Sequence, residues 1–321
     1  MSAHLRTRRT AIALTIGLAN SPDAPLSRAE QELVDDSLRV VALSLEQLQG
    51  AAAIAPHIQG EKRRAYAWRV YEQLAGLYQR QGRARDATDT YQRYAAAQPL
   101  SPQSALARQR MIEIDEAAGF SARALQARRD FVLAHGPGSD WARAQTGTQP
   151  QYQALWREQV DLLARHRHAA AQAGKAAADV DQAERWYRLG IEQIDDARRG
   201  ERQFLLAELL ADAGRTQGAL AAYEQAAYGN AEHPRRADAG YSALLARARL
   251  IEAAAKPEQA PLQQAQVAAA QRFVQRFDAD PRAAAVLANA ADLQWALQDA
   301  AAAQALARQV LARPDAGSDI R

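Results

Sequence analysis

Prolines cut this 321-residue chain into lengths that a pair of helices fills. Beyond Pro22 and Pro25 they stand at Pro56, Pro99, Pro102, Pro137, Pro150, Pro234, Pro257, Pro261, Pro281 and Pro314. A proline inside an α-helix removes a hydrogen bond and clashes with the preceding turn, so these positions are expected between helices or in first turns. The segments between them run about 33 to 47 residues, with the stretch from Pro150 to Pro234 about twice that, a cadence that points to internal repeats. Composition agrees: roughly a quarter of the residues are Ala, Gln is abundant and β-branched residues are few, which excludes an all-β fold. One hydrophobic core stops growing near about 250–300 residues, so an elongated array or two domains is expected.

The clearest unit, Trp68 to Ser101, reads WRVYEQLAGLYQRQGRARDATDTYQRYAAAQPLS. Leu74, Ala75 and Tyr78 fall on one face of a first helix, and Ala87, Tyr91 and Tyr94 on one face of the next. Ala75 and Ala87 let the two helices approach closely, and Gly82 stands where a left-handed C-cap needs a residue without Cβ. Tyr71, Leu74, Ala75, Tyr78, Gly82, Ala87, Tyr91 and Pro99 together resemble the signature of the tetratricopeptide repeat (TPR), with Tyr94 replacing a usual small residue. A second unit, Gly200 to Ala231, keeps the same offsets through Leu206, Ala207, Leu210, Gly214, Ala219, Tyr223 and Ala226. Gly119 and Ala124 mark a degenerate repeat over 105–137, and Pro281 to Pro314 a further one in which Asp299 follows the usual glycine place. The resemblance implies an all-α fold, an α-solenoid of stacked antiparallel helix pairs in a TPR-like right-handed superhelix.

Helix pairs are also predicted for 151–173 with 176–196 and for 235–255 with 258–277, and a half-repeat helix for 28–48. The turn-rich stretch HGPGSDW followed by AQTGTQP is the one long interruption. The expected organisation is a signal-like or disordered segment 1–24, an N-terminal subarray 25–137, a loop 138–150 and a C-terminal subarray 151–321. More specifically, the helix over 32–48 ahead of the strong repeat, and the segment 119–141 after it, resemble parts of large bacterial cell-envelope TPR proteins.

His4 to Arg9, the apolar run from Thr10 to Ala19 with its small-residue exit at Gly17-Leu18-Ala19, and then Asn20-Ser21-Pro22 follow the order of a secretory signal. A first amphipathic helix, or an arbitrary start of the reading frame, fits the same residues. The run is too short to span a bilayer, and no later stretch reaches 18 consecutive apolar residues, so no transmembrane span is predicted. Periplasm or cell envelope is the expected location, and cytoplasm the alternative.

Chemistry is sought without success. The chain has no Cys, hence no disulfide, thiolate metal site or thiol nucleophile. His166 and His168, two apart on a helix, point about 160° from each other, so no metal site is expected. The carboxylate runs Glu113-Ile114-Asp115-Glu116 and Asp195-Asp196 lie near no cleft-forming motif, and Gly136-Pro137-Gly138 lacks the strand and the Gly-Lys-Ser/Thr of a phosphate loop. No enzyme activity and no cofactor are predicted. The net charge of +3 is spread along the chain without a basic tail, and similar polar residues do not recur at fixed repeat places as an RNA code needs, so no nucleic acid is expected. The five tryptophans are read as packing between helices.

By the resemblance, function belongs to the groove lined by the first helices of the pairs. Its expected lining is Arg69, Glu72, Gln79 and Arg80 in one repeat and Glu201, Phe204, Glu208 and Asp212 in the other. The family's chaperone-tail clamp is not implied, because Glu72 and Gly76 stand where Lys and Asn are needed. The reading is a non-catalytic scaffold that binds a peptide or helix of a protein partner, in an envelope-associated complex. A cytoplasmic TPR regulator or peptide sensor is the alternative.

Overall fold

The structure, a computed structural model, describes residues 27–58, 61–147, 149–174, 176–230 and 232–314; the signal-like segment 1–24 lies outside them. The described residues form helices and turns without a strand. The helices are α1 (Arg28–Glu46), α2 (Glu61–Arg80), α3 (Ala84–Ala97), α4 (Pro102–Ala117), α5 (Ser121–His135), α6 (Asp140–Ala144) and α7 (Pro150–Gly174). They continue with α8 (Ala177–Gln193), α9 (Arg199–Asp212), α10 (Thr216–Tyr228), α11 (Arg236–Ala253), α12 (Lys256–Arg276), α13 (Ala283–Ala296) and α14 (Ala300–Ala312). No helix among the described residues is long and apolar enough to cross a membrane. The chain divides into two compact units, Met1–Gln159 and Val160–Arg321. In the first, α1 to α5 pack each against its chain neighbour; in the second, α8 to α14 do the same, so the architecture is one of stacked antiparallel helix pairs.

One turn geometry joins the two helices of a pair and recurs along the chain. At the end of α2, Gly82 has φ 72°, its N–H donates to Gln79 O, and Arg83 N–H reaches back to Tyr78 O at 2.8 Å. This closes two carbonyls that a helix end leaves unpaired and aims the chain into α3. Gly119 repeats it with Phe120 N–H on Asp115 O, and Gly214 with Arg215 N–H on Leu210 O, each at 2.8 Å. Before α14 the same place is held by Gln298 at φ 64°, with Asp299 N–H on Gln294 O. A side chain there carries strain that glycine avoids, and the side chain of Asp299, which caps α14 through Ala302 N–H at 3.0 Å, helps to hold it.

Pairs close because alanines meet large residues. In the first unit Leu74, Ala75, Ala87 and Ala95 are fully covered, and Tyr71, Tyr78, Tyr91 and Tyr94 fill the space between them. Tyr94 is buried edge-on against Trp68 (5.1 Å) and Tyr71 (5.5 Å), and its hydroxyl meets Ser101 Oγ at 3.0 Å. The next helix adds Ala107 and Ile114 to the same core. Ser101 also caps α4 through Ser104 N–H, with Pro102 in the first turn. In the second unit Leu206, Ala207, Leu210, Ala219, Tyr223, Ala226 and Ala227 form the equivalent core, and Phe273, Val286, Leu287, Leu306 and Val310 the C-terminal one.

Two details differ from the sequence expectation. Pro261 lies inside α12 and not at its first turn; Pro257 holds that place. The stretch 138–150 is not a bare loop: Ser139 caps α6, and Trp141 of α6 is buried, its Nε1 donating to Ser101 O at 2.8 Å. Trp141 packs on His135 and Tyr152, which ties the stretch to α5 and to the start of α7. The division between units falls inside α7, after Gln159.

Candidate functional site

The first helices of the pairs carry the charged side chains that the core does not use. In the first unit Arg69 and Glu72 lie three residues apart on α2, with Arg69 exposed and Glu72 half-buried. Burial raises the Glu72 carboxyl above its ordinary value, while Arg110 and Arg69 pull it back. Arg110 belongs to α4, where it pairs with Glu113 at 2.8 Å, and Gln109 donates to the same Glu113 carboxylate at 2.8 Å. Tyr91 reports the same surroundings: burial first, then Glu72, push its hydroxyl up to about 12. Arg110 and Glu113 thus join Arg69 and Glu72 in one patch, although the sequence reading named neither as groove-lining. The signal was a spacing of three on the first helix of the next, degenerate pair. Gln79 and Arg80 are exposed at the far end of α2.

In the second unit Glu208 and Asp212 lie one turn apart on α9, and Gln172 of α7 donates to Asp212 at 3.1 Å. Tyr223 donates its hydroxyl to Glu208. His168 of α7 is buried, with Nδ1 3.0 Å from the Tyr187 hydroxyl and Nε2 without a partner; burial lowers its pKa, with Asp212 and Glu208 opposing. Glu201 is exposed and pairs with Arg198 at 3.1 Å. Phe204, expected in the groove, is only 2% exposed. Its ring lies under the Arg235 guanidinium at 4.0 Å and against Tyr223 and His233, so it is packed inside the unit and has no free face for a partner.

The carboxylates screened for acid–base work are held by arginines. Asp115 is buried and paired with Arg123, which also donates to Thr88; Glu116 pairs with Arg128; Asp196 is bound by Arg202 at 2.7 Å. His166 is exposed whereas His168 faces inward, and among the described residues no three His, Cys, Asp or Glu gather as a metal site would need. Of the tryptophans, Trp141 and Trp156 are buried and Trp68 and Trp186 pack on cores, but Trp295 is 70% exposed and does not fit the packing role.

One pair resembles a nucleophile and its base. Ser104 Oγ lies 3.3 Å from His135 Nε2, and His135 Nδ1 lies 3.2 Å from Phe131 O. A carbonyl only accepts, so Nδ1 carries the proton and Nε2 accepts from the serine. Both side chains are buried in the helix packing, which leaves a substrate no approach and makes the pair structural. Burial, the largest effect, lowers the His135 pKa to about 4. The folded chain therefore resists a proton that the unfolded chain accepts below about 6.5, so this contribution to stability is complete above that pH and is lost as pH falls toward 4. We expect the unfolding free energy to drop by up to about 3 kcal/mol more between pH 7 and pH 4 in the native chain than in His135→Gln. Urea titrations at both pH values measure it, and identical pH slopes would exclude a buried neutral imidazole.

No family model matches the chain, and none of the curated proteins is similar to it. Among solved structures it is similar to the C-terminal part of a TPR repeat-containing protein from Cytophaga hutchinsonii, at 11% identity and TM-score 0.35, over 88% of this chain and 97% of that one. It is also similar to the apo form of the quorum sensor NprR from B. thuringiensis, at 9% identity and TM-score 0.25, over 96% of this chain and 98% of that one. By the turn geometry and packing of its own helix pairs, the chain is built in the TPR-like manner.

Proposed function

We propose that this chain is a non-catalytic scaffold whose units each hold a peptide segment or a helix of a partner protein in a groove lined by the first helices of that unit's pairs. The observation that carries this reading is the division of labour within those helices. Their inner faces are spent on alanine, leucine and tyrosine packing, whereas Arg69, Glu72, Arg110 and Glu113 in one unit lie outside the core with mixed charge, and Gln172, Glu208 and Asp212 in the other form an acidic set. Mixed charge on a regular helical surface selects among peptide ligands by complementarity. The carboxylates of Glu113, Asp115, Glu116 and Asp196 are already engaged by arginine, and His135 and His168 are buried, which supports binding over turnover.

A pull-down from the native host with the full chain tests the groove. Arg69→Glu with Glu72→Lys, and separately Asp212→Lys, are expected to reduce capture of the bound partner about tenfold or more, the equivalent of about 1.4 kcal/mol. These side chains are exposed or half-buried, so the fold should persist, as a circular-dichroism melt would verify. Capture of every partner at unchanged yield by all of these variants rejects the groove. The cell envelope is the proposed place of action, supported by the basic, apolar and small-residue order of residues 4–22. An N-terminus that begins after residue 19 in isolated protein fits it; an intact Met1 favours the cytoplasmic alternative.

A further inference from the structure

The C-terminal helices of the second unit contain a feature that the groove residues do not account for. Between α11, α12 and α13 lies an open cavity of about 460 Å³, within the range of about 300–1,000 Å³ typical of ligand pockets. It exists because each helix presents an alanine to it, Ala248, Ala270 and Ala290, and nothing larger fills the space. Leu244 and Val286 form a buried apolar floor, and Leu245 stands half-exposed in the wall.

Three polar features are unmatched. Glu252 of α11 and Asp292 of α13 are exposed at its edge, and neither has an ion-pair partner among the described residues. Arg247, next to the cavity-lining Ala248, is engaged with Glu224. No Lys or Arg lines the cavity. In the wall, Gln266 Nε2 donates to Leu244 O at 3.2 Å, which fixes the amide and leaves Oε1 buried without a donor.

We infer that this cavity seats an aliphatic side chain of a partner peptide whose adjacent residue is Lys or Arg. The aliphatic group covers the Leu244 and Val286 floor, and the cation meets Glu252 and Asp292. An acidic neighbour would instead place a third negative charge beside two carboxylates that have no ion-pair partner among the described residues. The inference rests on the reading of the chain as a peptide-binding scaffold and adds a second, chemically defined seat to it.

Fluorescein-labelled Gly/Ser decapeptides with a central Leu-Lys, Leu-Glu or Ser-Lys pair, titrated with the full chain by fluorescence anisotropy, test it. Leu-Lys is expected to bind at least about tenfold more tightly than either of the others. Glu252→Gln with Asp292→Asn should remove the preference for Leu-Lys over Leu-Glu, and Ala248→Leu, which fills the space, should weaken Leu-Lys about tenfold while the thermal melt is retained. The inference is overturned if Leu-Lys and Leu-Glu bind equally, if Leu-Lys fails to bind at about 1 mM, or if neither variant changes its affinity. Partner capture that is sensitive to Arg69→Glu but not to Glu252→Gln with Asp292→Asn, together with peptides that do not bind, sinks this seat and leaves the scaffold standing. Capture indifferent to every groove variant sinks the scaffold whatever the peptides do.

Discussion

Arg202→Ala is expected to cost the second unit about 3–5 kcal/mol of unfolding free energy, because it strands a buried carboxylate. Arg202 is almost completely buried; its Nε and Nη2 donate to the two oxygens of Asp161 at 2.7 and 3.1 Å, and its Nη1 donates to Asp196 at 2.7 Å. Burial lowers the guanidinium pKa, but the hydrogen bonds from Asp161 and Asp196 outweigh it and hold the group above its ordinary value. The site admits the side chain because position 190 is glycine: a Cβ there would lie 3.1 Å from Arg202 Cδ and 3.4 Å from Val160 Cγ1. Arg198 also reaches Asp161, at 3.0 Å from a half-exposed position, and this places the expected loss toward the lower end of the range. Arg202→Met combined with Asp161→Leu should recover most of it, since exchanging a buried ion pair for apolar residues of similar volume is often neutral or stabilising. Urea unfolding measures both. A loss below about 1 kcal/mol for Arg202→Ala would mean that the pair behaves as an exposed one.

Trp156→Ala is expected to cost the first unit about 3–5 kcal/mol by emptying a large buried volume. The indole is buried, and its Nε1 donates to Val132 O at 2.9 Å across from α7 to α5. Gly136 lies directly beneath it; a Cβ at that position would come 2.9 Å from the indole nitrogen. Truncation therefore leaves both a cavity and a buried carbonyl without its donor. Trp156→Phe keeps most of the volume and loses only the donor, so its cost should be about 1–3 kcal/mol, and the difference between the two separates packing from hydrogen bonding. Thermal and urea unfolding report it; equal stabilities of Trp156→Ala and the native chain would remove Trp156 from the core.

These two sites mark where the sequence was readable and where it was not. Helix pairs were legible because alanine, tyrosine and glycine sit at fixed offsets around Gly82 and Gly214, and that pattern is local. The last pair was harder, since Gln298 occupies the left-handed place and hides the turn that the backbone nevertheless makes. Illegible features depend on partners far along the chain. Asp161 and Arg202 are 41 residues apart, and nothing in a helical period shows that they will meet. His135, Trp141 and Trp156 stand in or beside a glycine- and proline-rich stretch that reads as an interruption, yet all three rings are buried.

The candidate site was legible to a lesser degree. Offsets within a pair identify which residues occupy the first helix, so Arg69, Glu72, Gln79 and Arg80 were reachable from the sequence, and so were Glu201, Glu208 and Asp212. They do not show that Phe204 turns inward beneath Arg235, because that requires the position of a helix 30 residues later. The alanine-lined cavity was equally hidden. A space is made by what three helices leave out, and no single segment records an omission.

Within each unit, packed helices are neighbours or next neighbours in the chain, and the ion pairs that cross between helices follow the same rule. Order can then spread stepwise from any pair already formed, without waiting for remote ends to find each other. Such an array loses structure from any pair that lacks a neighbour, so a pair packed on both sides is protected by its flanks.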